Sequence, residues 1–181
     1  MALSSTIYKV ELQVSDLNRH YYQTHSLTVA QHPSETVQRM MVRILVFALN
    51  ASEGLEFTKG LSTDEVPDLW EKALTGDIER WIEVGQPSAR RVKKACNQSA
   101  RVSIYTFSGH SAEVWWQQNR EDFSRQTKLR IVNLPTEQLS EISNNITRTM
   151  SLQCTVQEGL IWFGDAGQSS EITPEVLQET S

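Results

Sequence analysis

The sequence predicts an α/β protein, a mixed central β-sheet flanked by helices, opened by an antiparallel strand pair and closed by a hairpin. Three observations point to it. Residues 7–14 and 26–29 alternate apolar and polar side chains, the period of a half-buried strand, on either side of the turn-prone Ser15, Asp16 and Asn18. Between residues 78 and 145, strand-like runs alternate with helix-like ones, the order that lays helices over a sheet. Residues 150–156 and 160–163 are two further runs joined by Glu158-Gly159, a hairpin turn.

The elements follow in order. After the opening pair, Pro33-Ser34-Glu35 supplies a helix start with Ser34 as the cap. Val37, Met40, Met41, Ile44, Leu45 and Ala48 then keep the i, i+3, i+4, i+7 spacing of an amphipathic helix that Gly54 ends. Its second half, with Val42, Val46, Phe47 and Leu49, is apolar nearly all round, which predicts contact on two sides. Residues 55–58 read as a strand, 64–74 as a second β segment, and Gly76-Asp77 as the turn into a third over 78–85. Ser88 caps a helix running to about Gln98, and the strand 102–107 completes one strand-helix-strand unit. A helix over 111–118, a strand over 129–134 and a helix over 136–145, capped by Thr136 with Glu137 in its first turn, continue the pattern. Gly, Ser, Pro and acids dominate residues 165–181. These predict a loose acidic tail behind a single domain over 1–164.

Composition narrows the function. A chain of 181 residues corresponds to about one domain, large enough to bury roughly 70% of its unfolded surface without disulfides or metal staples. The net charge is −5; the tail carries Asp165, Glu171, Glu175 and Glu179 with no Lys or Arg, so the body stands at −1. That near-neutrality argues against a protein that coats nucleic acid indiscriminately. Cys96 and Cys154 lie in apolar contexts without a C-x-x-C pattern, which predicts buried, inert thiols in a reducing compartment. The start, Met1-Ala2-Leu3-Ser4, lacks a signal peptide's basic segment and apolar run, and no stretch nears the ~20 apolar residues of a membrane span, so no membrane association and cytoplasmic residence are expected. P-loop, dinucleotide-binding, G-x-S-x-G and H-E-x-x-H patterns are missing. His20, His25, His32 and His110 have no metal-ligand spacing and read as surface or loop residues.

One segment can carry chemistry. If residues 64–74 and 78–85 pair as a hairpin, Asp68 near the start of one and Glu83 near the end of the other share one end of the sheet. Strands there lie ~4.8 Å apart, close enough for two carboxylates to share a hard cation such as Mg²⁺. Lys93 and Lys94, in the first turns of the following helix, would stabilise negative charge on a phosphate, with Arg90 and Arg91 extending the patch. Neighbouring helix positions face ~100° apart, so at most one of the two lysines points into the site. Plainer readings stand beside these. Pro-Asp starts many turns, Glu35 near a helix start suits the helix dipole, a single basic turn is commonly a solvated face, and of Trp115-Trp116 one packs in the core.

The runs His32-Pro33-Ser34-Glu35, Arg39-Met40-Met41, Thr58-Lys59-Gly60-Leu61, Trp81-Ile82-Glu83-Val84-Gly85, Lys93-Lys94-Ala95-Cys96 and Trp115-Trp116-Gln117-Gln118-Asn119 together resemble the bacterial YaeQ family. Thr149-Met150-Ser151-Leu152-Gln153 and Gly159-Leu160-Ile161-Trp162 extend the likeness over essentially the whole chain. The resemblance implies a variant of the PD-(D/E)xK nuclease fold, the restriction-endonuclease-like core, with a Mg²⁺ site that Mn²⁺ could also fill. Under it, Pro67-Asp68 matches the PD element and Glu83 the acidic position, while Gly85 stands where the catalytic lysine belongs. Residues i and i+2 of a strand share a face, so Gly85 leaves a gap that Lys93 or Lys94 would fill, with Gln86 a weaker substitute. Glu35 would add a third, helix-borne carboxylate. The implied activity is Mg²⁺-dependent cleavage of nucleic acid phosphodiesters. The alternatives are a non-catalytic nucleic-acid-binding or protein-interaction adaptor retaining the nuclease core, and an interaction factor in RNA synthesis or processing.

Overall fold

Strand β1 (Thr6–Asp16) buries every second residue from Tyr8 to Asp16, as its alternating sequence requires. The structure is a computed structural model that describes residues 3–59 and 65–181. The readings that fall on Met1, Ala2, Gly60, Leu61 and the start of the 64–74 segment lie outside the described residues. The chain divides into two compact units, where the sequence predicts one domain.

The first unit is built on residues 3–51 and 137–173. β1 pairs antiparallel with β2 (Tyr21–Gln31) and parallel with β8 (Thr149–Gln157). β9 (Leu160–Gly164) returns along β8 and β10 (Ser169–Ile172) along β9, giving the order β10-β9-β8-β1-β2. Glu158 and Gly159 both take positive φ, +50° and +81°, the pair of left-handed residues that a two-residue hairpin turn needs. Helix α1 (Val37–Asn50) buries every residue from Met40 to Ala48, as the two-sided apolar pattern predicts. Its cap is Thr36, not Ser34: Thr36 Oγ1 accepts from the Arg39 N–H at 3.1 Å, while Ser34 Oγ bonds His32 Nδ1 at 2.6 Å.

The second unit takes residues 52–59, 65–136 and 174–181. Its sheet runs β11-β7-β6-β5-β4-β3, from β3 (Leu55–Phe57), β4 (Leu69–Lys72), β5 (Ile78–Val84), β6 (Ser99–Thr106), β7 (Leu129–Asn133) and β11 (Glu175–Gln178). β5, β6 and β7 are parallel and linked by α2 (Ala89–Gln98) and α3 (His110–Ser124); the remaining three strands are antiparallel additions. One face presents Trp81, Val102, Ile104, Leu129 and Ile131 to Val92, Ala95 and Cys96 of α2 and to Trp115 and Phe123 of α3, forming this unit's core.

Two expectations fail for local reasons. The helix over 136–145 is only a 3-10 turn, Thr136–Leu139, followed by turns in which Asn145 takes φ +59°. Ser140 Oγ donates to the Glu137 carbonyl at 3.2 Å, the competition with helical hydrogen bonding that makes Ser and Asn poor interior residues. The loose tail is instead β10 and β11. Ile172 is fully buried, and Glu179 pairs with Arg130 at 3.0 Å. Cys96 and Cys154 are free and buried as expected, and burial pushes the Cys154 thiol up to about 12. Among the described residues, no helix is long and apolar enough to cross a membrane.

Candidate metal centre

The site begins with strand register. Leu69 lies opposite Ile82 and Trp70 opposite Trp81 in the antiparallel β4–β5 pair, so one step further Asp68 stands opposite Glu83. Directly opposed residues present their side chains on the same face, with Cβ atoms about 4.5–5.5 Å apart. Both carboxylates are buried, at 7% and 4% exposure. Asp68 Oδ2 accepts from the Val84 N–H at 2.8 Å, and the Asp68 carbonyl accepts from the Thr58 N–H at 3.1 Å, which fixes the acid at the start of β4. Burial raises the pKa of Glu83, the Arg91 guanidinium beside it opposes that shift, and the nearby Asp68 charge adds to it.

The two Glu83 oxygens have different surroundings. Oε1 accepts from Arg91 Nε, whose guanidinium also donates through Nη2 to the Val66 carbonyl at 2.8 Å. Oε2 is buried with no hydrogen-bond partner. The Trp81 indole N–H, two residues back on the same face, favours the charged carboxylate but lacks hydrogen-bonding geometry and is itself unpartnered. Thr106 Oγ1 and Asn133 Oδ1 are in the same condition. Register places them side by side at the carboxyl ends of β6 and β7, on the face that carries Trp81 and Glu83. Each unpaired buried polar atom costs about 1–3 kcal/mol, and these four share one face of three parallel strands, toward their carboxyl ends. Beside it, Ser88, Arg90, Arg91 and Lys94 line an open pocket of about 530 Å³ at the start of α2.

This donor set suits Mg²⁺, which is held by one or two carboxylates and completes its shell with water and phosphate oxygens. Glu83 Oε2 is the observation that fits, a hard oxygen left without a partner. Among the described residues, no group of three or more His, Cys, Asp and Glu gathers in one place.

A family model described as YaeQ protein matches residues 1–174. YaeQ of Escherichia coli (strain K12) is 42% identical over 181 residues, the full length of both chains. The chain belongs to the YaeQ family. The crystal structure of YaeQ from Xanthomonas axonopodis pv. citri superposes with a TM-score of 0.93 at 42% identity, covering 97% of this chain and 99% of that one. YaeQ from Pseudomonas syringae superposes with a TM-score of 0.92 at 32% identity, covering 97% of each.

Within this YaeQ chain, the cation that meets Glu83 is neither predicted lysine. Lys93 is exposed, and Lys94 Nζ reaches Glu65 Oε2 at 3.2 Å on the surface. Ser88 caps α2 by accepting from the Arg91 N–H at 3.2 Å, which makes Arg91 the third helical residue and turns its side chain back toward β5. Val92, Ala95 and Cys96 mark the buried stripe of α2, and Arg91 and Lys93 flank it on either side. Gly85 lies beyond the end of β5 with φ +119°, its N–H bonded to the Tyr105 carbonyl at 2.8 Å. That conformation disfavours any lysine there. Gln86 Nε2 instead donates to Ser111 Oγ at 2.9 Å.

Glu35 meets two arginines. It precedes the α1 cap in the first unit, where Oε2 accepts from Arg39 Nη1 at 2.6 Å and Arg43 Nε at 2.8 Å, and Oε1 from Arg43 Nη2 at 2.6 Å. Both oxygens are held by arginines of its own unit. Thr106 and Asn133 went unread in the sequence, since a lone Thr or Asn at a strand end carries no local signature.

Proposed function

We propose that this chain is a Mg²⁺-dependent phosphodiesterase acting on nucleic acid, its second unit a variant of the PD-(D/E)xK core. The observation that carries the reading is the buried Asp68–Glu83 pair with Glu83 Oε2 unpartnered. Asp68 and Glu83 would hold Mg²⁺ or Mn²⁺, and the ion, when bound, supplies Lewis-acid polarisation of a phosphoryl oxygen. The chain's own groups do the rest. The Val84 N–H orients Asp68, and Arg91 orients Glu83 while bringing, in place of a lysine, the positive charge that a transferring phosphate needs. Arg90 and Lys94, at the start of α2, attract the phosphate backbone into the adjoining pocket.

The second reading, a non-catalytic adaptor on the same core, is favoured by the Arg91–Glu83 ion pair, which already neutralises one oxygen of the acid. One experiment separates them. Purified protein is incubated with single- and double-stranded DNA and RNA in Mg²⁺, Mn²⁺ or chelator. Metal-dependent cleavage lost in Asp68→Asn and Glu83→Gln is the result expected of the enzyme. Binding without cleavage, unchanged by either substitution, rejects it in favour of the adaptor.

A further inference from the structure

Strand β2 forms one edge of the first unit's sheet, and it differs from the other sheet edges. β3, β10 and β11, which end sheets elsewhere, are three or four residues long, and each contains a glutamate: Glu56, Glu171 and Glu175. Short length and an edge charge are the usual protections against strand addition. β2 has neither. Its eleven residues, Tyr-Tyr-Gln-Thr-His-Ser-Leu-Thr-Val-Ala-Gln, include no Lys, Arg, Asp, Glu or Pro, and its register with β1 runs without a bulge from Tyr21 to Gln31.

The outward row of backbone groups can be identified. The Ala30 carbonyl accepts from Arg43 Nη2 at 2.8 Å, so the even-numbered residues are those whose N–H and C=O point away from β1. Tyr22, Thr24, Ser26 and Thr28 belong to that row, and all four are exposed.

We propose that two copies of this chain associate through β2, antiparallel across a two-fold axis, joining their sheets edge to edge. A strand paired with itself sets every residue against the same short stretch, so any like charge would face a like charge; β2 carries none on an Asp, Glu, Lys or Arg. Its hydroxyls at Thr24, Ser26 and Thr28 serve equally as donors and acceptors and are therefore self-complementary. Antiparallel pairing also brings the Tyr22 end of one copy to the Ala30 end of the other. There Tyr22, 56% exposed, and Ile7, 43% exposed and opposite Ala30 on β1, lie on the same solvent face and cover one another.

Sedimentation velocity with the full chain over a concentration series tests this. The wild type should run at twice the 20.6 kDa chain mass. Ser26→Pro removes an outward N–H without touching the β1 pairing, and Ser26→Lys sets like charges opposite one another on the axis, so each should return the chain to a monomer with an unchanged circular dichroism spectrum. A wild type that stays monomeric at every concentration leaves the edge to a strand of another protein and overturns the proposal. So does a dimer that persists in the folded Ser26→Lys and Ser26→Pro variants.

Discussion

Arg91 and Glu83 form an ion pair that ties the first turn of α2 to the carboxyl end of β5. Glu83 is almost fully buried while the Arg91 side chain keeps 24% of its surface, so solvent screens one partner only. Removing the arginine strands a buried carboxylate. Arg91→Ala is expected to destabilise the protein by about 1–3 kcal/mol, below the range for fully buried pairs because of that exposure. Lys93→Ala should change stability by less than about 0.5 kcal/mol. Urea denaturation of both variants checks the contrast, and equal effects would return the lysine to the site.

Gly85 makes a second prediction. A Cβ added there meets no atom within 4 Å, so the barrier to substitution is conformational, set by φ +119°, and not steric. Gly85→Ala and Gly85→Lys should therefore cost about the same, roughly 1–3 kcal/mol. Thermal melts of the two variants decide it. A lysine much better tolerated than alanine would mean that the ammonium finds the Asp68–Glu83 pair.

These residues show how much the sequence disclosed. The β4–β5 hairpin and the opposition of Asp68 to Glu83 were legible, because Gly76-Asp77 marks the turn and strand pairing does the rest. The two strand-helix-strand units were legible from alternation alone. Arg91 was harder to choose among four cations in five residues, since helix rotation is set by where Val92, Ala95 and Cys96 pack. At Glu35 the sequence does not discriminate, because a carboxylate near a helix start looks the same whether it meets a metal or two arginines. β10 and β11 were hidden by acidic composition, which describes their exposed positions and not the buried Ile172.

Glu83 predicts a pH dependence. Burial first, with the Asp68 charge adding and Arg91 opposing, raises its pKa above 4.5. The folded state then binds that proton more tightly than the unfolded chain does. Its contribution to stability is full below the unfolded value and is lost as pH rises through the folded one. The stability of wild type minus that of Glu83→Gln should therefore fall as pH rises past 4.5 and then level, with a larger fall that extends to higher pH in an Arg91→Ala background. Urea midpoints across pH measure it; a difference that grows with pH contradicts the assignment.

Glu35 separates structure from site. Its side chain is 1% exposed and bound by Arg39 and Arg43, so Glu35→Gln leaves two cations short of a counter-charge and should cost about 3–5 kcal/mol. Divalent-ion affinity of the folded variant should not change. Calorimetry beside a denaturation curve reads both, and a lost ion site with intact stability would restore Glu35 as a ligand.

Direct titration of the protein with Mn²⁺, followed by electron paramagnetic resonance of the free ion, tests the carboxylate pair itself. Wild type should take up one ion per chain, displaced by Mg²⁺, with uptake abolished in Asp68→Asn and in Glu83→Gln while both variants remain folded. Uptake that survives both substitutions, or none by the folded wild type, would show that these two acids do not form a metal centre.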